Sequence, residues 1–171
     1  IAVSGTASYM PHGVPRPVKL EKGFLTMDFG ARVDGYCSDM TRTVVIGKAD
    51  AEMKRLYETV KHAQLSAIEA AHAGVGCRCL DSVARNIIDG AGYAGTFGHS
   101  LGHGVGMFIH ESPRLSARAD EASVLEPGHV VTFEPGIYLS GKYGCRIEDM
   151  AAVLPDGSLY DFTHSPKELI E

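Results

Sequence analysis

Four carboxylates, Asp28, Asp39, Glu134 and Glu148, are spaced so that each falls near a partner across a predicted hairpin. Asp28 and Asp39 belong to two β-rich runs, Phe24 to Phe29 and Tyr36 to Ile46, joined around Val33-Asp34-Gly35. With Arg32 to Gly35 as the loop, Ala31 pairs with Tyr36, and Asp28 is expected directly against Asp39. In the second half, Val130 to Leu139 and Cys145 to Leu154 flank a turn centred on Gly141, a register that opposes Glu134 to Glu148. Opposed residues have β-carbons about 5 Å apart, and like charges placed there destabilise a sheet. Some compensation is required.

A shared proton or basic partners would serve, but two divalent cations match the four negative charges better. An oxygen-rich site with a single imidazole suits Mn²⁺, Co²⁺, Fe²⁺ or Zn²⁺ rather than a thiolate-bound structural zinc. Two such ions ~3.5–4 Å apart hold a nucleophilic water and polarise a carbonyl, which points to metal-assisted hydrolysis. Taken singly, each acid is better read as a solvated or capping residue, and Asp34-Gly35 is ordinary turn chemistry. Two opposed pairs with apolar neighbours resist that reading, because Thr26, Asp28 and Gly30 share one strand face and Leu25, Met27 and Phe29 the other. Pro135 softens the second register, since proline interrupts a ladder.

A third cluster is Phe97-Gly-His99-Ser-Leu-Gly-His103-Gly-Val-Gly, followed by His110-Glu111-Ser-Pro113. Glycines at 98, 102, 104 and 106 argue against a helix here. In extended chain His99 and His103 share a face, and alternate glycines admit a close backbone or ligand. His110 lies an odd number of residues from both, so it reaches the same cleft only if the chain turns or bulges. One histidine alone is usually packed or exposed, but three so close together in glycine-rich chain suggest a site.

Several segments, in order, resemble the pita-bread metallopeptidases. They are Met27-Asp28-Phe29-Gly30-Ala31, Gly35-Tyr36-Cys37-Ser38-Asp39-Met40-Thr41-Arg42-Thr43, His99-Ser-Leu-Gly-His103-Gly-Val-Gly, His110-Glu-Ser-Pro, Glu134-Pro-Gly-Ile-Tyr138 and Arg146-Ile-Glu148-Asp149. The Ser-Asp-Met-Thr-Arg-Thr, Glu-Pro-Gly-Ile-Tyr and Arg-Ile-Glu-Asp stretches are similar to the Xaa-Pro aminopeptidase and Xaa-Pro dipeptidase (prolidase) branch. The resemblance implies that Asp28 binds one metal, that His103 and Glu134 bind the other, and that Asp39 and Glu148 bridge both. It implies that Glu134 takes the proton of the attacking water, and that His12, His99 and His110 line the substrate and steady the tetrahedral intermediate. Short proline-containing peptides are the expected substrates and Mn²⁺ the expected metal. The alternatives are a methionine aminopeptidase-like enzyme, which shares the five ligands, and a fragment of the same fold that binds peptide without turnover.

Composition is that of a globular enzyme. The chain has 171 residues, 44% of them hydrophobic, without an apolar run of membrane-spanning length, so one domain and no membrane partner are expected. A net charge of −5, from 16 basic and 21 acidic residues with no basic run, makes nucleic acid an unexpected partner. Cys37, Cys77, Cys79 and Cys145 form no Cys-x-x-Cys pair and read as free thiols of a cytoplasmic protein.

The elements that must hold the site follow from periodicity. Asp50 to His72 carries Met53, Leu56, Tyr57, Val60 and Ile68 at helical spacing, and Cys79 to Gly92 repeats the pattern with Leu80, Val83, Ile87 and Ile88. Strand pair, helix pair and strand group together predict an α+β fold, a curved antiparallel sheet covered by helices. The pita-bread resemblance implies a further helix pair before Ile1, and commonly a separate creatinase-like amino-terminal domain before that, so the expectation is an amino-terminally truncated catalytic domain over 1–171 with the amino-terminal domain absent. Its apolar sheet face would be covered by the missing segment or by a second copy in a homodimer. On this expectation the chain by itself is inactive unless something completes the pocket.

Overall fold

The computed structural model describes residues 1–171. Twelve short strands surround two helices: β1 (Ala2–Ser4), β2 (Gly23–Phe29), β3 (Arg32–Val33), β4 (Tyr36–Cys37), β5 (Met40–Ile46), α1 (Ala51–Glu69), α2 (Cys77–Ile88), β6 (Gly102–Gly104), β7 (Glu111–Leu115), β8 (Val130–Phe133), β9 (Gly136–Leu139), β10 (Tyr143–Arg146), β11 (Asp149–Val153) and β12 (Leu159–Asp161). A three-stranded sheet has the order β1-β2-β5 and a five-stranded one the order β12-β11-β8-β6-β7, with β9-β10 and β3-β4 as separate hairpins. Every pairing is antiparallel. Thr41 and Glu148 join the two main sheets, the Glu148 amide donating to the Thr41 carbonyl at 3.1 Å and the Thr41 amide to the Glu148 carbonyl at 3.4 Å.

Both helices lie where the apolar spacing places them. The Asp50 side chain caps α1 by accepting from the Met53 amide at 2.8 Å. Met53, Leu56, Tyr57, Val60, Ala63 and Ala67 form its buried stripe. The helix ends at Glu69, short of the expected His72, and the chain turns through Gly74 at a φ of 88°. Helix α2 begins two residues earlier than expected and stops at Ile88, where Asp89 to Tyr93 widen into a looser turn around Gly92 at a φ of 90°. The two helices pack onto Phe24, Val45, Leu115, Val131, Phe133, Ile137 and Val153 from the strands and Ile147 between β10 and β11, which makes one core.

The two hairpin registers compare differently with expectation. In the second, Phe133 faces Asp149 and Gly136 faces Arg146, so Glu134 lies opposite Glu148 across the gap that Pro135 leaves between β8 and β9. The first is corrected. Asp28 pairs with Thr41, not with Asp39, and Arg32 pairs with Cys37. The loop is only Asp34-Gly35, with φ values of 50° and 89°, the tight left-handed turn that Asp-Gly favours. A two-residue loop in place of four slides the register by two residues, and because side chains alternate with period two, Asp28 and Asp39 remain on one face. Gly30 makes the approach possible, since a β-carbon there would collide with the Ser38 carbonyl.

Candidate metal centre

The Thr41–Glu148 bridge brings the end of β2, Asp39 just before β5, the glycine strand β6 and Glu134 to one cavity of about 690 Å³. Asp28, Asp39, His103, Glu134 and Glu148 all line it, together with His12, His99 and His110. Ligand atoms of Asp39, His103 and Glu148 lie within 4.8 Å of one another. His103 Nε2 is 3.3 Å from Glu134 Oε1 and 3.8 Å from Asp39 Oδ2. Its Nδ1 lies 3.0 Å from the Gly104 carbonyl, which can only accept. The Nδ1 proton is thereby committed, and Nε2 is presented to the carboxylates.

The glycine strand works as its spacing suggests. β-Carbons at Gly102 and Gly104 would run into the carbonyls of Thr132 and Ser112, so β6 fits between β8 and β7 only as Gly-His-Gly. His103 is thus held 5% exposed in the sheet, while His99 sits in the irregular chain before it and lines the same cavity. Pairing between β6 and β7 shifts register between His103 and Gly104, and the bends at Gly106 to His110 bring His110 round. Its ring meets His103 edge to face, centroids 4.3 Å apart.

The electrostatics are those of crowded anions. Burial, then the charge of Asp28, pushes Asp39 up to about 6. Burial and the charges of Glu134 and Asp39 push Glu148 well above the usual carboxylate range, although Thr41 Oγ1 donates to it at 2.6 Å. Burial opposes charge on both members of the His103–Glu134 pair. Their hydrogen bond and mutual attraction outweigh it, holding His103 above and Glu134 below their ordinary values. His99 is held below its ordinary value, first by burial. Three close carboxylates beside one imidazole nitrogen form a hard, oxygen-rich donor set in which a divalent cation relieves the repulsion, so these residues fit the metal that the sequence implies.

Arg146 joins the site through contacts that the motifs do not reveal. It is 3% exposed and donates from Nη2 to Asp28 Oδ2 at 2.6 Å, from Nε to Thr41 Oγ1 at 3.1 Å and from Nη1 to Tyr138 Oη at 2.9 Å. Tyr138 Oη in turn lies 2.9 Å from His99 Nε2. Period two carried the signal, because Arg146 shares a face with Glu148. Arg114, paired with His103 across β6 and β7, also lines the cavity, and its guanidinium makes no hydrogen bond or ion pair within the chain.

The chain is 46% identical over 171 residues to the Xaa-Pro dipeptidase of Pyrococcus horikoshii, a match covering 99% of this chain and 48% of that protein. The structure of the Xaa-Pro dipeptidase from Bacillus anthracis superposes with a TM-score of 0.94 at 47% identity, over 99% of this chain and 47% of that one. That of the X-Pro aminopeptidase from Thermotoga maritima gives 0.93 at 43% identity, over 99% and 48%. The chain thus spans about half the length of the relatives it matches. Residues 1–155 match the metallopeptidase family M24. With that pattern running through nearly the whole sequence and the α+β pita-bread architecture of its structural neighbours reproduced closely, the chain belongs to metallopeptidase family M24.

Proposed function

We propose that this chain carries the catalytic centre of a two-metal exopeptidase that cleaves the bond before proline in short Xaa-Pro peptides. The observation that supports this most is the convergence of five metal-type ligands and three histidines on one cavity. Asp28 would hold one ion, His103 and Glu134 the other, and Asp39 and Glu148 both. When bound, two divalent cations, Mn²⁺ by preference, would neutralise the carboxylates, lower the pKa of a water and polarise the scissile carbonyl.

The chain's own residues supply the rest. Glu134, held ionised beside His103, accepts the proton of the attacking water. Arg146 occupies Asp28 Oδ2 and leaves Oδ1 for ligation, while through Thr41 it fixes the Glu148 carboxylate. His12, His99 and His110 line the cavity where peptide lies. Ile1, Pro11 and Ile109 offer apolar lining, and because a proline amide has no N–H the site needs no acceptor for it. Arg114 is free to meet the terminal carboxylate of a dipeptide.

The test is hydrolysis of matched Xaa-Pro and Xaa-Ala dipeptides by the intact protein, before and after chelation. Xaa-Pro should be cut faster, chelation should abolish turnover, and Mn²⁺ or Co²⁺ should restore it. Asp39→Asn and Glu148→Gln should each lose more than the ~10–100-fold typical of residues behind the ligands. Activity that survives chelation would overturn the metal reading. Equal rates on the two peptides, or a preference for Met-Ala over Met-Pro, would move the assignment to a general or methionine aminopeptidase.

A further inference from the structure

His99 sits in a stretch, residues 94 to 101, that contains no helix or strand, yet its ring is fixed at both nitrogens. Nδ1 lies 2.8 Å from the Ser100 carbonyl, so it carries the proton, and neutral Nε2 accepts from Tyr138 Oη at 2.9 Å. A loop cannot hold a ring in that way unless its own backbone is anchored. The carbonyls of Thr96 and Leu101 accept from the amides of Tyr138 at 3.2 Å and Glu134 at 2.7 Å, and between these two ends the chain is anchored by one ion pair on α2.

Asp81 and Arg85 are one helical turn apart, so they share a face, along which Arg85 is half-buried. Asp81 is fully buried and binds Arg85 through both oxygens, Nε to Oδ2 at 2.8 Å and Nη2 to Oδ1 at 3.0 Å. The remaining capacity of the pair goes to the loop. Arg85 Nη1 donates to the Phe97 carbonyl at 2.7 Å and Nη2 to the His99 carbonyl at 2.9 Å. Asp81 Oδ1 accepts from the Leu101 amide at 3.0 Å. The guanidinium also lies over the Phe97 ring, 4.3 Å from its centroid, and that ring meets His99 edge to face at 5.0 Å. Residues 97, 99 and 101 are therefore gripped on the backbone by one bidentate pair, with His99 at the centre of the grip.

We propose that Asp81 and Arg85 are positioning residues for His99: the pair on α2 clamps Phe97 to Leu101 and so aims the imidazole at Tyr138 and the substrate cavity. The clamp depends on the planar fork of arginine, because a lysine ammonium cannot bind both carboxylate oxygens and two carbonyls in fixed directions. A solvated helical ion pair would have no such requirement. The inference rests on the peptidase reading only for its kinetic arm.

Nitrogen NMR of the histidine rings in the metal-free intact protein, for wild type and Arg85→Lys, tests the geometry directly. The wild-type His99 ring should show one fixed tautomer protonated at Nδ1, and Arg85→Lys should move it to averaged tautomers while the ring of His103 keeps its shifts. Should Arg85→Lys fail to fold, Asp81→Asn, which keeps an acceptor for the Leu101 amide but loses the charge, carries the same measurement. In the Mn²⁺-loaded protein kcat on an Xaa-Pro dipeptide should fall on the order of 10-fold to 100-fold, with metal content unchanged. The same substitution in a His99→Ala background should cost no more than about twofold, since the two changes remove one interaction. Unchanged His99 shifts in the variant would overturn the proposal, as would shifts at His103, and at His62 exposed on α1, as large as those at His99. A wild-type protein that cleaves no Xaa-Pro peptide would defeat the peptidase reading, and the ring shifts would still decide the clamp.

Discussion

Asp39 and Glu148 carry the sharpest consequence at the level of single residues, because the fold holds their carboxyls where charge is unfavourable. A carboxyl whose pKa is raised on folding binds its proton more tightly in the native state. Stability therefore falls as pH rises from the unfolded value, near 3.8 for Asp39, through the folded value of about 6. The metal-free protein should lose stability over that window relative to Asp39→Asn, by on the order of 1 kcal/mol for each tenfold gain in proton affinity on folding. Added Mn²⁺ should flatten the dependence. Thermal unfolding of both proteins from pH 4 to pH 7, with and without metal, measures it. A wild-type curve parallel to that of Asp39→Asn would refute the crowding. The acids stand out by residue type and spacing, and period two puts Arg146 on the face of Glu148, but nothing in Arg-Ile-Glu-Asp says that the guanidinium meets Asp28 and Tyr138 there.

Among the elements, β6 is the one most tightly specified by its sequence. Gly102 faces the Thr132 backbone so closely that any β-carbon must displace a strand, and the neighbour in sequence is His103. Gly102→Ala should destabilise the protein by about 1–3 kcal/mol, as overpacking does, and shift the His103 ring. Gly98→Ala, with nothing within 4 Å of the added carbon, should stay within about 0.5 kcal/mol of wild type. Denaturant unfolding of the two variants separates these outcomes, and equal effects would mean that flexibility rather than close approach explains the glycines. Helical spacing located α1 and α2 to within a few residues, because a stripe buried against a core repeats at 3.6. The β2–β5 register escaped by two residues because apolar alternation constrains which face a side chain takes, not how far the strands slide. The turn decided that, through the left-handed backbone of Asp34 and Gly35.

At the scale of the whole molecule, Asp149 gathers distant parts of the chain. It is fully buried and binds Arg42 Nη2 of β5 at 2.7 Å, Gln64 Nε2 of α1 at 2.6 Å and Lys167 of the carboxy-terminal segment. Arg42 further donates to the carbonyls of Glu148 at 2.7 Å, Ser165 at 2.9 Å and Pro166 at 3.1 Å. Removing one partner of a buried ion pair leaves an uncompensated charge, so Arg42→Met should cost about 3–5 kcal/mol despite keeping much of the side-chain volume. Urea unfolding should show it as a lower midpoint, and an unchanged midpoint would mean that Lys167 alone satisfies Asp149.

Residue type, spacing and motif order were enough to pick out the acids and histidines that one cavity gathers, the opposition of Glu134 to Glu148 and the two covering helices. Those properties depend on local backbone preference and on side chains alternating along a strand, both of which act over a few residues. The tertiary structure alone decided that the Thr41–Glu148 bridge brings the two carboxylate pairs to one cavity. It alone turned Arg146 and the Asp81–Arg85 pair toward that cavity's walls. Such contacts join residues up to 118 positions apart. They are set by how sheets and helices pack, and no local pattern in the chain encodes that distance.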